Sequence, residues 1–98
     1  MKNKKQYILV IKIVENTIIL KLNDGNQTID ELRWDDANDN TSKELLRQID
    51  KLLKNNKLVI NDLEKVETDI DEKRKFTLAR IVQIVTETVN YSLNQRGL

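Results

Sequence analysis

The first 34 residues contain three short segments that favour β-strands. Residues 7–14 and 17–22 are rich in β-branched residues, which is typical of strands. The nearly continuous apolar character of 7–14 predicts a central strand covered on both faces. Residues 27–34 are more polar, with Asp30 and Arg33 among them, which suits a strand at the edge of a sheet.

Two short polar turns separate these segments. Glu15-Asn16 lies between the first and second, and Asn23 to Asn26 lies between the second and third. The second turn contains Asp24-Gly25, a strong hairpin signal because glycine adopts positive φ at little cost. Strands joined by such short turns pair in sequence order. The sequence therefore predicts a three-stranded antiparallel meander.

The spacing of apolar residues predicts an α-helix after a polar loop over 35–40. Thr41 or Ser42 is suited to cap its first turn, and the helix is expected to end around Asn55-Asn56-Lys57. The apolar residues recur at helical intervals, and they are Leu45, Leu46, Ile49, Leu52 and Leu53. The opposite side carries charged residues, so the pattern predicts an amphipathic helix.

A weaker strand and a second helix complete the pattern. Residues 63–68 are expected to form a strand parallel to the first, because a crossover helix precedes them. Residues 76–94 contain many Ile, Val and Thr, so a strand is an alternative. A helix is favoured because the run is long and lacks Gly and Pro. The predicted order β-β-β-α-β-α, in a single domain over residues 1–98, is that of a ribonuclease H-like or actin-like (α/β, α+β) half-domain.

The composition excludes several kinds of site. The chain has no His and no Cys, so common catalytic bases, nucleophile pairs and zinc ligands are missing. We therefore expect no catalytic residues, no metal and no cofactor. With 17 basic and 16 acidic residues, bulk attraction to nucleic acid or a membrane is not indicated. The absence of Cys fits a cytoplasmic location, and we do not expect the N-terminal residues to act as a signal peptide, because Lys12 interrupts the short apolar run.

Charged clusters are interpreted mainly as solvated surface. Lys73-Arg74-Lys75, together with the N-terminal lysines Lys2, Lys4 and Lys5, is suited to RNA phosphates, but the balanced charge and few aromatic residues favour a solvated loop and tail. Asp69, Asp71 and Glu72 are disfavoured as a metal site because the basic residues 73–75 adjoin them. A polar loop before the helix explains the second acidic group, which consists of Asp35, Asp36 and Asp39. Trp34 is either an interface anchor or, more commonly for a lone tryptophan, a cover for the core edge.

Three blocks carry a resemblance to a known family. They begin Ser42-Lys43-Glu44-Leu45-Leu46, Leu58-Val59-Ile60-Asn61-Asp62 and Phe76-Thr77-Leu78-Ala79-Arg80. In sequence and spacing they resemble the N-terminal lobe of the TsaB (YeaZ) family, an actin-like accessory subunit of the bacterial tRNA threonylcarbamoyladenosine machinery. The matching family segments are H-S-E-x-L-L, L-x-L-x-D-L and F-T-G-L-R. The first strand also stands where that family has I-L-A-I-D-T.

The chain departs from the family where nucleotide would bind. Lys12 stands where the family has a strand-end Asp, Thr41 where it has a His, and residues 72–75 replace its glycine-rich turn. An actin-like site needs a carboxylate near the metal and close approach of the backbone to phosphate. The family normally has about twice this length, so the resemblance covers its N-terminal lobe and we expect no second lobe. A nucleotide-binding or ribonuclease H-like enzyme is therefore the disfavoured alternative.

The resemblance implies protein binding through the two helices. In that family the N-terminal-lobe helices pack as a helical bundle against TsaD, or against a second TsaB, and tRNA is involved only indirectly. Helical periodicity points the same way, because Ile84, Thr88 and Tyr91 lie beyond the core-facing stripe of the second helix. We therefore predict partner contacts at Leu46, Ile49, Leu53, Arg80, Ile84, Thr88 and Tyr91. The alternative is a stand-alone homodimeric module with no remaining role in tRNA modification.

Overall fold

The computed structural model describes residues 6–35, 41–70 and 77–95, with side chains in the last range from Arg80 onward. Four strands, two α-helices and a short 3₁₀ turn follow one another in the predicted order. Their bounds are β1 Tyr7–Val14, β2 Thr17–Asp24, β3 Gln27–Asp35, α1 Thr41–Asn55, the 3₁₀ turn Ile60–Asp62, β4 Leu63–Ile70 and α2 Thr77–Gln95. The assignment of the last segment as helix is confirmed. Several residues discussed above lie outside the described ranges. They are the N-terminal lysines, the charged residues within 36–40 and 71–75, Phe76 and the side chain of Leu78.

The four strands form one mixed sheet in the order β3-β2-β1-β4. β1 pairs antiparallel with β2 and parallel with β4, and β2 pairs antiparallel with β3. The predicted meander and the predicted parallel position of β4 are therefore confirmed. β4 can run parallel to β1 because α1 connects the end of β3 to the start of β4 and carries the chain back across the sheet. The molecule is a mixed α+β domain, and neither described helix is long and apolar enough to cross a membrane.

One face of the sheet and both helices share the hydrophobic core. On β1 and β2 the inward side chains lie opposite each other, as in the pairs Leu9 with Leu22 and Ile11 with Leu20. α1 and α2 cover this face with their buried apolar residues, which are Leu45, Ile49, Leu52, Leu53, Val82, Val85 and Leu93. Trp34 is half-buried and packs against this cluster, which agrees with its interpretation as a cover for the core edge.

The other face of the sheet corrects the prediction that β1 is covered on both sides by further elements. Both described helices lie on the core face, so the outer face carries alternating apolar and charged residues. Ile19 is nevertheless buried there, with Lys12 and Arg33 as its cross-strand neighbours. We attribute its burial to the aliphatic stems of these long side chains, which cover apolar surface while their charges stay in water.

Ion pairs between neighbouring residues of this outer face shift two pKa values. The hydrogen bond from Arg33 lowers the pKa of the Glu31 carboxyl, and the hydrogen bond to Glu67 raises the pKa of the Lys65 ammonium. Lys65 is exposed and Glu31 is half-buried at the surface, so salt screens these interactions and they add little to stability. The strands are therefore held together mainly by their pairing within the sheet, and the ion pairs of the outer face contribute little.

Both hairpin turns place their first residue at positive φ. Gly25 has φ 65°, as its predicted role in the second turn requires, and its N–H donates to the Gln6 carbonyl at 3.1 Å. In the first turn Glu15 adopts φ 58°, a conformation that costs an L-residue more than glycine. The pairing of β1 with β2 thus imposes the first turn, although Glu15 is not a favourable residue for it.

The end of α1 is a Schellman motif with a lysine in the position that glycine usually occupies. Lys57 has φ 60°, the Leu58 N–H donates to the Leu53 carbonyl at 2.9 Å, and the Lys57 N–H donates to the Lys54 carbonyl at 3.0 Å. The motif turns the chain back toward the sheet, so that Leu58 packs against the core.

We expect Lys57→Gly to stabilise the protein by about 0.5–1 kcal/mol, because glycine relieves the left-handed conformation at this site. Lys51→Gly, at an exposed position inside the same helix, is the matched control and should destabilise by about 1 kcal/mol. Urea unfolding of both variants measures the difference. Equal destabilisation by the two changes would contradict the prediction.

The Asn90 side chain of α2 binds the outer edge of β4. Its Nδ2 donates to the Val66 carbonyl at 2.8 Å, and its Oδ1 accepts the Val66 N–H at 2.8 Å. The amide thus replaces one peptide group of a neighbouring strand. Because both main-chain groups of Val66 are satisfied in this way, Asn90 fastens α2 to the sheet edge and blocks strand pairing at this residue.

We expect Asn90→Ala to destabilise the domain by about 1–2 kcal/mol, since two part-buried hydrogen bonds are lost. Asn94→Ala, one turn later and exposed, should change stability by less than about 0.5 kcal/mol. Both variants gain helix propensity, and the gain is smaller at Asn94 because it lies in the last turn of α2. A larger destabilisation by Asn90→Ala is therefore a lower bound on the contribution of the edge hydrogen bonds. No difference between them would show that solvent replaces Asn90 without cost.

Candidate protein-interaction surface

A groove of about 350 Å³ opens between α1, α2 and the connector that follows α1. Its floor is formed by side chains of both helices, among them Ile49, Leu53 and Val89. Leu46 of α1 and Val59 and Ile60 of the connector also line it, and all three are exposed. Apolar side chains that both line a groove and face solvent are suited to receive an apolar side chain of another molecule.

Local structure explains why two apolar residues of the connector face outward. The Schellman motif at Lys57 reverses the chain, and Leu58 then takes the inward position. The Val59 N–H donates to the Asp62 carboxylate at 2.9 Å, while the Asp62 N–H donates to the Val59 carbonyl at 2.9 Å. These two hydrogen bonds close the 3₁₀ turn and hold Val59 and Ile60 at the surface.

The groove has one charged pair beside its apolar lining. Asp50 and Lys54 both line it, and the Lys54 Nζ lies 3.1 Å from the Asp50 carboxylate. An exposed pair of this kind contributes little to stability but can orient a partner's polar groups. Within the part of the chain that the structure describes, no group of His, Cys, Asp or Glu is placed to hold a metal ion. The groove thus combines an apolar lining with a charged pair at Asp50 and Lys54.

A second apolar feature runs along the outward side of α2, and we call it the α2 ridge: Ile84, Thr88 and Tyr91. At 100° per residue these positions fall within about 60° of one another, so they line up on one side of the helix. Ile84 is 58% exposed and Tyr91 is 68% exposed, and Thr88 is also exposed. The protomer does not bury these side chains, which leaves them free to contact another molecule.

The seven predicted contact residues occupy different places. Leu46 lies on the groove rim, Arg80 is exposed in the first part of α2, and Ile84, Thr88 and Tyr91 form the α2 ridge. Ile49 and Leu53 are only 3% exposed each. These two are residues of the core, so they can meet a partner only as the floor of the groove.

Sequence reasoning missed Val59 and Ile60, which it assigned to a plain connector. Their signal was an apolar pair flanked by Asn56-Lys57 and Asn61-Asp62 in a segment too short for another helix or strand of the core. Apolar residues in such a segment have no internal surface to cover unless the chain folds back. Here it folds back at Leu58, and the next two residues remain at the surface.

Lys12, where the family resemblance implies a carboxylate, lies on the outer face of the sheet. Its Nζ is 3.6 Å from the Asp69 carboxylate of β4. This cation is far from the groove, because the helices cover the opposite face. Asp69 thus serves as an ion-pair partner on the sheet surface.

Fold and surface together define a mixed α+β domain that exposes apolar side chains along its helix pair. A comparison with protein-family models finds none that matches the chain, and a comparison with curated proteins finds no match either.

Proposed function

We propose that this chain is a non-catalytic accessory subunit that binds a TsaD-like protein through its two helices and supports threonylcarbamoyladenosine modification of tRNA in the cytoplasm. The proposal takes the finer fold to be a ribonuclease H-like, actin-like half-domain. The three sequence blocks that resemble the TsaB family support it, as does the compatible order of strands and helices.

The observation that carries the proposal is the exposed α2 ridge. Ile84 and Tyr91 are large side chains with much apolar surface, and neither the sheet nor α1 covers them. Tyrosine is enriched among residues that dominate binding energy, because it contributes a large contact area and loses little conformational entropy. The ridge and the groove rim lie on the helix pair, which is the part of the TsaB family that packs against TsaD.

The non-catalytic part of the proposal rests on the chemistry of Lys12. A magnesium–nucleotide site of the actin-like type uses carboxylate oxygens near the metal. A lysine at that strand position contributes a positive charge instead, and here it pairs with Asp69. The chain would therefore act by positioning its partner, with the reaction left to that partner.

Co-purification and calorimetry with the TsaD of the same organism test the proposal. We expect a one-to-one complex with a Kd in the micromolar range or tighter, which is usual for a helical interface of standard size. Absence of association by calorimetry at tens of micromolar would reject it.

A stand-alone homodimer is the second candidate, because a ridge along one helix can pack against its own copy across a two-fold axis. Sedimentation of the isolated chain over a range of concentrations separates the two candidates. A dimer that persists in the presence of TsaD, together with unchanged tRNA modification after gene deletion, would favour the homodimer.

A further inference from the structure

At the outer edge of β4, Asn90 satisfies the main-chain N–H and C=O of Val66. The next residue whose main-chain groups point to this side is Thr68. In a strand, the N–H and C=O groups of every second residue point to the same side. Since both groups of Val66 point away from β1 to Asn90, those of Thr68 also point away from β1. Among the described residues, β1 is the only strand that pairs with β4. Within residues 6–35, 41–70 and 77–95, no strand pairs with Thr68 on that side, so its main chain can accept a further strand.

A groove of about 270 Å³ lies beside this open position, lined by Thr68, Gln83, Thr86 and Glu87. Thr86 precedes Asn90 by one helical turn, so it stands beside Thr68 much as Asn90 stands beside Val66. Its shorter side chain makes no corresponding bond. Thr86 is only 8% exposed, and its buried Oγ1 has no hydrogen-bond partner. A buried hydroxyl without a partner is unusual and points to a polar group that fills the groove from outside.

The charges around the edge specify the chemistry of the occupant. Glu67 and Asp69 flank Thr68 on the outer face, where each has one cation neighbour on the sheet, Lys65 and Lys12 respectively, and Glu87 lies in the groove wall. A carboxylate offers about four lone-pair sites, so these three groups can accept hydrogen bonds from further basic side chains. Opposite charges on neighbouring strands stabilise pairing, and like charges directly opposite each other destabilise it. An added strand would match these charges if its basic side chains lay on the outer face of the sheet. Its short polar side chains would then lie on the other side, in the groove beside Thr86.

The same charges disfavour a second copy at this edge. If two β4 strands paired antiparallel around Thr68, Glu67 of each copy would lie opposite Asp69 of the other. These like charges repel. Asn90 would also have to leave Val66 for the pairing to lengthen.

We propose that the β4 edge at Thr68 binds an extended basic segment of another protein, which adds a short strand to the sheet and places a polar side chain in the groove against Thr86. This is strand addition at an exposed sheet edge, with main-chain hydrogen bonds for affinity and alternate side chains for specificity. The site lies apart from the groove between the helices and does not depend on a TsaD-like partner.

Titration of the isotopically labelled full chain with a capped heptapeptide of alternating Lys and Thr tests the proposal. We expect saturable shifts centred on the Thr68 amide, with a Kd below about 1 mM. The same peptide N-methylated on every second amide keeps its charge but loses edge hydrogen bonds, and it should bind at least about tenfold more weakly. An alternating Glu and Thr peptide should not bind.

Variants of the protein supply the reciprocal test. Thr68→Pro removes only an outward N–H, which an edge strand tolerates, and should weaken binding at least about tenfold. Thr86→Val should weaken binding about threefold through loss of the hydroxyl contact. If Thr68→Pro fails to fold, the N-methylated peptide decides alone.

Three outcomes would overturn the proposal. They are equal binding of the N-methylated peptide, peptide-induced shifts away from Thr68, and the absence of saturable binding. Shifts of the Thr68 amide with protein concentration in the absence of peptide would assign the edge to a second copy instead.

Discussion

Replacing Ile84 and Tyr91 together by lysine should weaken binding to the proposed TsaD-like partner by about 100-fold or more while the isolated protein stays folded. Residues of this kind each cost about 2 kcal/mol or more when they are central to an interface, which is about 30-fold in Kd. The combined effect is expected to be smaller than the product, because neighbouring contact residues are not additive. Calorimetry with the purified partner measures the loss.

The exposure of both side chains makes this test clean. Ile84 is 58% and Tyr91 is 68% exposed in the protomer, so replacing them should change the free energy of unfolding by less than about 0.5 kcal/mol each. Lysine is also a good helix former, so α2 should persist. A loss of binding would therefore report the contact and not the fold.

Val14→Lys is the matched control for the loss of an exposed apolar side chain. Val14 is 49% exposed and ends β1, with Thr17 as its cross-strand neighbour on the outer face of the sheet. We expect the control to bind like the unmodified protein. Unchanged binding by the double variant, or equal loss in the control, would contradict a role for the α2 ridge.

Ile11→Ala should destabilise the domain by about 2–5 kcal/mol, whereas Ile19→Ala should cost only about 1 kcal/mol. The two isoleucines lie on neighbouring strands and are almost equally buried, with exposures of 0% and 7%. Ile11 packs between the sheet and the helices, opposite Leu20, where deleted methyl groups leave a cavity in a rigid core. Since the whole domain is expected to be stable by about 5–15 kcal/mol, the first loss is a large share.

The smaller effect at Ile19 follows from what covers it. Its cross-strand neighbours Lys12 and Arg33 have flexible stems that can move into the space left by the smaller side chain. Urea unfolding followed by the fluorescence of Trp34, the single tryptophan, compares the two variants. Equal destabilisation would show that the outer face is as tightly packed as the core.

The order and type of the elements could be predicted because they depend on local patterns. β-Branched runs, one Asp-Gly turn and two helical periodicities are read directly from the chain, and the crossover helix makes β4 parallel to β1. The excess of apolar residues on the second helix was visible for the same reason. Periodicity alone places Ile84, Thr88 and Tyr91 outside the core-facing stripe, and these residues are exposed.

Which apolar residues stay exposed depends on how distant elements pack against one another. Leu46 and Leu53 belong to the same helical pattern, yet Leu46 is half exposed and Leu53 is buried, because α2 and the returning connector cover one part of α1 and leave another open. The Asn90 contact with Val66 joins residues 24 positions apart, so no local pattern reveals it. Local patterns along the chain are enough to predict which elements form, since short-range spacing sets periodicity and turns. Only packing of distant elements decided which side chains are left at the surface, because burial depends on what lies opposite in space.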